Sequence, residues 1–319
     1  MIEGIPKISI LIITYRQEVL IKRALDSLLS QKDYIYEICV SDDCSPDNTW
    51  EVLKTYDNRY PGLFKLHRQD QNVGIFENIE YSWTMPSGDI IYQLAGDDEC
   101  GEGWFKTVIN YIIDNKIDYK NERLCIYGDY KSIYPNGDTM IFRNNLVNSK
   151  VDPIYLFLRT SIGNRSVCYS IETLKSFRNV SQGRSHVAET AQEVQLPLNT
   201  EKNYYIPYVG NIYYSGLGVS TKTSSDTLFK ERQEIVPYTL AFLEKNGYIV
   251  DPKFTMYVKA NLAEKQFCNR RNLRNFVKTI YFKILSYDKR IGLKSIGLKQ
   301  AIFAIRRRIP HNHPIVYYV

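Results

Sequence analysis

Nowhere in these 319 residues is there a run approaching the ~20 apolar side chains that a membrane-spanning helix needs. Met1 to Lys7 has no apolar core, so no secretory signal is expected there. The six cysteines, at 39, 44, 100, 125, 168 and 268, form no C-x-x-C pair, which removes the common zinc and thioredoxin-like patterns. Cys39 and Cys125 fall in apolar segments, where cysteine acts as a small hydrophobe. A reduced cytoplasmic compartment fits. The four histidines (67, 186, 311 and 313) show no metal or triad spacing, and the last two read as solvated residues of a terminal tail. No G-x-G-x-x-G follows the first apolar run and no G-x-x-x-x-G-K-[ST] occurs. Rossmann dinucleotide and P-loop readings therefore lack their glycines. There is no internal repeat and no low-complexity linker.

What remains is an ordinary globular composition, with 44% hydrophobic and 24% charged residues. The length predicts about two domains. The net charge of +6 hides an asymmetry. From residue 252 onward there are 15 Lys and Arg against two acids, Glu264 and Asp288, whereas the preceding part carries 26 bases and 33 acids. An acidic front is thus joined to a basic tail, and such a tail suits an anionic surface.

Ile8 to Ile13 is an apolar run rich in β-branched residues, as in a strand buried on both faces. Apolar positions then recur at helical spacing over 18–30. Further strands are predicted at 35–40, 63–66 and 89–95, with helices at 48–57, from Asn72-Val73-Gly74 to about Met85, and at 103–115. This β-α-β-α-β-α-β order predicts a mostly parallel sheet flanked by helices. Beyond it come a strand at 124–127, a hairpin turning at Asn136-Gly137, a helix over 152–158 and a strand at 167–170. A helix over 185–199 carries Glu189 and Glu193 on one face. Two short strands split by Gly210 follow, then a Gly/Ser/Thr loop at 215–225. Helices are predicted at 226–246, 254–268, 271–286 and 292–308. The weakest seam, 216–226, divides a catalytic part, 1–223, from a basic helical part, 224–319.

Two acidic turns carry the chemistry. The strand at 89–95 runs into Gly96-Asp97-Asp98-Glu99, and the strand at 35–40 runs into Ser41-Asp42-Asp43-Cys44-Ser45-Pro46-Asp47-Asn48-Thr49. Asp47 or Asn48 can cap the helix that follows. In an open α/β sheet, ligands sit outside the carboxyl ends of the strands. One acidic turn alone is equally a solvated turn or a cation site. Two of them place four carboxylates on one rim, where a hard divalent cation bridging to phosphates is the simplest compensation. A carboxylate at a strand end also suits the N–H and hydroxyl groups of a nucleoside.

Ile8 to Tyr15, the turn from Val40 to Thr49, Asn72-Val73-Gly74 with Asn78, and Gly88-Asp89 leading to Gly96-Asp97-Asp98 together resemble the family 2 glycosyltransferases, which have the GT-A fold. The likeness is clear over residues 8–100 and fainter to about 223. It implies that Thr14 and Tyr15 line the nucleotide base pocket, with Glu18 just beyond. Asp42 would contact uracil or ribose, and Asp43 would orient its loop. Asn72 and Asn78 would line the sugar-nucleotide side, with Gly74 permitting close approach. Asp97 and Asp98 would hold Mn2+ or Mg2+, Asp97 lying also beside the donor. Ala95 stands where many members carry a further carboxylate. In the helix containing Gln192-Glu193-Val194-Gln195-Leu196-Pro197-Leu198, Glu193 falls at the position of the catalytic base of inverting members, with Glu189 as the alternative and Gln192 where a second acid is common. Ser215 to Val219 matches a glycine-rich segment after the acceptor site.

The implied reaction is transfer from a nucleoside-diphosphate sugar, UDP by resemblance, to a hydroxyl of a glycan or lipid-linked acceptor in bacterial cell-surface polysaccharide synthesis. The basic tail mixes Val277, Ile280, Tyr281 and Ile284 with Lys278 and Lys283, and ends in Arg306-Arg307-Arg308. It is expected to lie on the inner face of a membrane, or else to be a helical part with a solvated basic face. The rival classes are a catalytically silent scaffold, a nucleotidyltransferase lacking its basic glycine-rich loop, and a nucleic-acid binder lacking any recognised motif.

Overall fold

The computed structural model describes residues 4–148, 150, 152–159, 164–180, 189–217, 235, 237–269, 272–291 and 316–318. The first half alternates as predicted: β1 (Ile8–Thr14), α1 (Leu20–Leu29), β2 (Glu37–Asp42), α2 (Thr49–Arg59), β3 (Phe64–Arg68), α3 (Ile75–Ser82), β4 (Ile90–Ala95), β5 (Glu99–Cys100) and α4 (Trp104–Asp114). Strands β3, β2, β1 and β4 lie side by side and parallel. The two-fold side-chain period of β1 explains why apolar residues occupy both of its faces. Ile8, Ile10 and Ile12 pack on one face with Ile21, Leu25 and Leu28 of α1. Leu11 packs on the other with Cys39, Ile91 and Tyr169. Helices cover both faces, so neither set meets water.

The second half is mixed: β6 (Leu124–Ile133), β7 (Thr139–Phe142), α5 (Pro153–Arg159), β8 (Val167–Ser170), α6 (Ile171–Lys175), α7 (Glu189–Glu193), α8 (Gln195–Asn199) and β9 (Lys202–Tyr214). Strand β8 runs antiparallel to β4 and to the first part of β6, while the Asn136-Gly137 hairpin returns β7 along the last part of β6. Along its other edge β6 pairs in parallel with β9. A three-residue strand, β10 (Val316–Tyr318), lies parallel to β7.

Two expectations need correction. The segment expected as two strands broken at Gly210 is one strand, β9, whose register with β6 slips between Tyr127 and Tyr130. Gly210 marks a close approach rather than a break. A Cβ there would lie 2.6 Å from the indole of Trp104, a fully buried core residue. Gly210→Ala is therefore expected to destabilise the fold by about 1–3 kcal/mol through overpacking, read as a lower thermal midpoint. The helix expected over 185–199 is two short helices meeting at Val194; its residues 185–188 lie outside the described residues. So do 226–234 and 236 of the next expected helix, the helix over 292–308, and His186, His311 and His313.

From the basic C-terminal part, a helix at 237–245 precedes two longer ones, Pro252–Asn269 and Leu273–Ser286. Phe254 and Ile291 pack into the same core layer as Leu11 and Tyr169. Asp288, fully buried, accepts from the Tyr155 hydroxyl of α5 at 2.8 Å and from Arg290 Nη2 at 2.6 Å. The Arg290 guanidinium holds its carboxyl well below the usual carboxylate range.

Candidate active site

The parallel register aligns the strand ends. Thr14 lies opposite Asp42, and Ile13 opposite Ala95, so both acidic turns leave the sheet on one rim. The loop after β1 is stitched to the loop after β2. Arg16 N donates to Ser45 Oγ at 3.0 Å, Gln17 N to Thr49 Oγ1 at 2.9 Å, and Asn48 N to Glu18 Oε2 at 3.0 Å. Asp47, rather than Asn48, caps α2, accepting from Thr49 N at 3.1 Å. Arg16 and Cys44 both take positive φ, 55°, an uncommon backbone state that the cross-bonding between the loops sustains.

Much of the acidity after β2 therefore serves the framework. Asp42 is fully buried. It accepts from the Ser45 hydroxyl and, at 3.1 Å, from Ser45 N, with Arg68 Nε 3.3 Å away. Burial pushes its pKa up, against the opposing pull of Ser45 and Arg68. Asp43 accepts from Val73 N at 2.7 Å, Gly74 N at 3.0 Å and Asn72 Nδ2 at 2.9 Å. It fixes the loop entering α3, in which Gly74 takes φ 94°. Asn78, expected on the sugar-nucleotide side, is instead buried, and its amide is consumed within the framework. Its Nδ2 donates to Ser41 O at 3.0 Å, and its Oδ1 accepts from Ser41 Oγ at 2.6 Å and Gln69 Nε2 at 3.1 Å. Thr14 is likewise buried, donating to Gln17 Oε1 at 2.8 Å. Glu18 is half-buried at the N-terminus of α2. Of the expected base-pocket side chains, Tyr15 is the one that presents an open ring, 37% exposed and beneath Arg16.

The turn after β4 is held differently. Arg23 of α1 donates to Asp97 O at 2.5 Å, pairs with Glu99 at 3.2 Å, and lies 3.6 Å over the ring of Tyr214. The Tyr214 hydroxyl donates to Glu99 Oε1 at 2.8 Å. The Asp97 side chain is half-buried and Asp98 is only 3% exposed. Asp98 has long contacts: Tyr214 N at 3.4 Å and Arg165 Nη1 at 3.8 Å. Burial pushes its carboxyl up to about 7, with Arg165 opposing the rise.

Arg165 was not legible in the sequence. It sits in the turn before β8, its guanidinium 43% exposed and 3.8 Å over the Tyr213 ring. Against the effect of its own burial, Asp98 holds it more firmly charged, with smaller contributions from Tyr130, Tyr213 and Glu193. Glu193 is exposed at the end of α7. Gln192 is buried and donates to Phe76 O at 3.4 Å, so it ties α7 to α3 rather than adding a second acid. The side chain of Glu189 lies outside the described residues, as do residues 218 and 219 of the expected glycine-rich loop. Gly216 takes φ 103° against Pro135.

Among the described residues, no group of three or more His, Cys, Asp and Glu forms a metal site. A hard cation of the Mg2+ kind asks for less than that, one or two carboxylates with phosphate and water oxygens completing the shell. Asp97 and Asp98 fit this need. They are adjacent carboxylates on the rim, and the nearly buried Asp98 has no short hydrogen bond to satisfy its charge.

A parallel sheet with aligned acidic turns at its carboxyl rim, extended by a mixed sheet and flanked by helices, defines a GT-A-type α/β protein. Residues 9–167 match the glycosyl transferase family 2 profile, and the chain belongs to that family. It is 28% identical over 167 residues to the abequosyltransferase RfbV of Salmonella typhimurium, covering 49% of each chain. The Staphylococcus aureus TarS 1–349 structure with UDP shares the fold, with TM-score 0.57 at 15% identity over 96% of this chain and 93% of that one. So does a Pyrobaculum calidifontis mannosyltransferase in complex with GDP-Man and Mn2+, with TM-score 0.51 at 14% identity over 96% of this chain and 83% of that one. The chain spans about half or less of the length of the curated relatives it matches. None of the helices described is long and apolar enough to cross a membrane.

Proposed function

We propose that the chain is a metal-dependent inverting glycosyltransferase. It moves a sugar from a nucleoside-diphosphate sugar, UDP-linked by preference, to a hydroxyl of a glycan or lipid-linked acceptor in cell-surface polysaccharide synthesis. The observation that carries this reading is the alignment of the two acidic turns on one rim of the parallel sheet, where Arg165 lies 3.8 Å from the nearly buried Asp98. The neighbouring folds solved with UDP and with GDP-Man and Mn2+ support the donor class. The division into a catalytic part, 1–223, and a basic helical part, 224–319, at the inner face of a membrane belongs to the same reading.

Each group then has a task. Tyr15 offers a ring for the base to stack on, and the loop fixed by Asp43 and Asn72 shapes the nucleotide side. Asp97 and Asp98 would hold Mn2+ or Mg2+, which when bound offsets charge on the leaving diphosphate. Arg165, half-exposed beside them, presents N–H donors to developing negative charge. Glu193 takes the proton of the acceptor hydroxyl. The acceptor oxygen forms a bond to the anomeric carbon as the bond to the phosphate oxygen breaks from the opposite side, and the electron pair leaves with the nucleoside diphosphate. A single displacement inverts the centre, so an α-linked donor gives a β-linked product.

The test is nucleotide binding by calorimetry. UDP is expected to bind more tightly with Mn2+ present, and Tyr15→Ala to weaken binding by about tenfold through lost stacking. Metal-independent binding that Tyr15→Ala leaves unchanged would remove this pocket from the account. A catalytically silent scaffold is the second reading, and the observation favouring it is Ala95, which stands exposed at the end of β4 where a further carboxylate is common.

A further inference from the structure

The helix Leu273–Ser286 has its polarity reversed. Its two buried positions are polar, Thr279 and Ser286, with Asn275, Phe282 and Lys283 half-buried beside them. They satisfy their hydroxyls on the helix itself, Thr279 on Asn275 O at 2.9 Å and Ser286 on Lys283 O at 2.8 Å. Its outward face is apolar: Leu273 (77% exposed), Phe276, Val277, Ile280, Tyr281 and Ile284 (67% exposed). These recur every three or four residues, so they form one continuous stripe. Exposed contiguous apolar surface of this kind marks a docking face.

Charge decides what docks. Arg274 and Lys278, each one position after a stripe residue, line one edge of the stripe and are exposed. Lys283, mostly buried, turns to Glu264 of the preceding helix instead. Between 252 and 291 there are ten Lys and Arg and two acids. Glu264 is taken up by Lys283 at 2.9 Å and Asp288 is buried with Arg290, so Arg274 and Lys278 remain as the exposed charges beside the stripe. A second copy of this chain would set basic edge against basic edge. An anionic bilayer offers hydrocarbon to the stripe and lipid phosphates to its basic edge. Fourteen residues span about 21 Å at the α-helical rise, which is too short to cross a bilayer and suited to lying in its interface.

We propose that Leu273–Ser286 seats the protein on an anionic membrane, stripe inward and Arg274 and Lys278 at the headgroups. This deepens the reading of a lipid-linked acceptor. It is tested without turnover, so its failure leaves the glycosyltransferase reading standing.

The experiment is co-sedimentation of the full chain with phosphatidylglycerol-rich vesicles and with neutral phosphatidylcholine vesicles. Wild type is expected to sediment with the anionic vesicles only. Val277→Ser/Ile280→Ser/Ile284→Ser is expected to weaken that binding by roughly tenfold or more, and Arg274→Glu/Lys278→Glu to abolish the preference for anionic lipid. Because these side chains face outward, both variants keep the wild-type circular dichroism and melting temperature. The proposal is overturned if wild type ignores anionic vesicles or if the triple serine variant binds them unchanged. It is overturned equally by a wild-type dimer in light scattering that the triple variant dissolves, which would make the stripe a protein interface.

Discussion

Asp98→Asn is expected to lower turnover by about a thousandfold, the scale of losing charge stabilisation by a bound cation. The metal-free protein should meanwhile remain as stable as wild type or gain stability. The two effects share a cause. Asp98 is almost wholly buried, and burial has pushed its pKa up to about 7. An acid whose folded pKa is raised above its unfolded value costs stability whenever it is charged at neutral pH. Asparagine removes that cost. It keeps a side-chain oxygen for Tyr214 N, but it leaves no anion for a cation or for Arg165. Sites that hold an uncomfortable charge for function show this opposition between stability and activity. Thermal melting in chelator beside steady-state turnover in Mn2+ reads both quantities. A variant that loses stability along with activity would instead mark Asp98 as a structural anchor.

Glu193→Gln is expected to reduce sugar transfer by about a hundredfold to ten-thousandfold, the range of a positioned general base. Its effect on slow donor hydrolysis by water should be small, and its melting temperature should be that of wild type, because the side chain is exposed. Equal losses in transfer and in donor binding would instead assign Glu193 to holding Arg165 in place, since the two are electrostatically coupled. Comparing kcat with KM for donor and for acceptor separates these outcomes.

The parallel half of the fold was legible because its signals are local. Ile8, Ile10 and Ile12 alternate with Leu11 across a strand buried on both faces, and the acidic turns follow directly from strand ends. What was not legible depends on tertiary placement. Strand β5 has two residues and exists through its pairing with β9. Gly210 looked like a break because sequence shows a missing side chain but not the Trp104 ring that fills its place. Asp42 and Asn78 have the residue types of a nucleotide site, yet hydrogen-bonding capacity does not reveal the partner, and theirs are Ser45, Arg68, Ser41 and Gln69. Arg165 carried no motif at all, since its importance comes from elements that converge on it. The stripe at Val277, Ile280, Tyr281 and Ile284 was visible as a helical period, but its outward orientation was not.

The measurement that bears most directly on the central claim is Mn2+-dependent release of free nucleoside diphosphate from a panel of nucleotide sugars, with wild type and Asp98→Asn side by side. The account predicts release from one donor class, UDP-linked, that requires the metal and disappears in the variant. Release that Asp98→Asn leaves intact, or no release and no nucleotide binding with any donor, would contradict it.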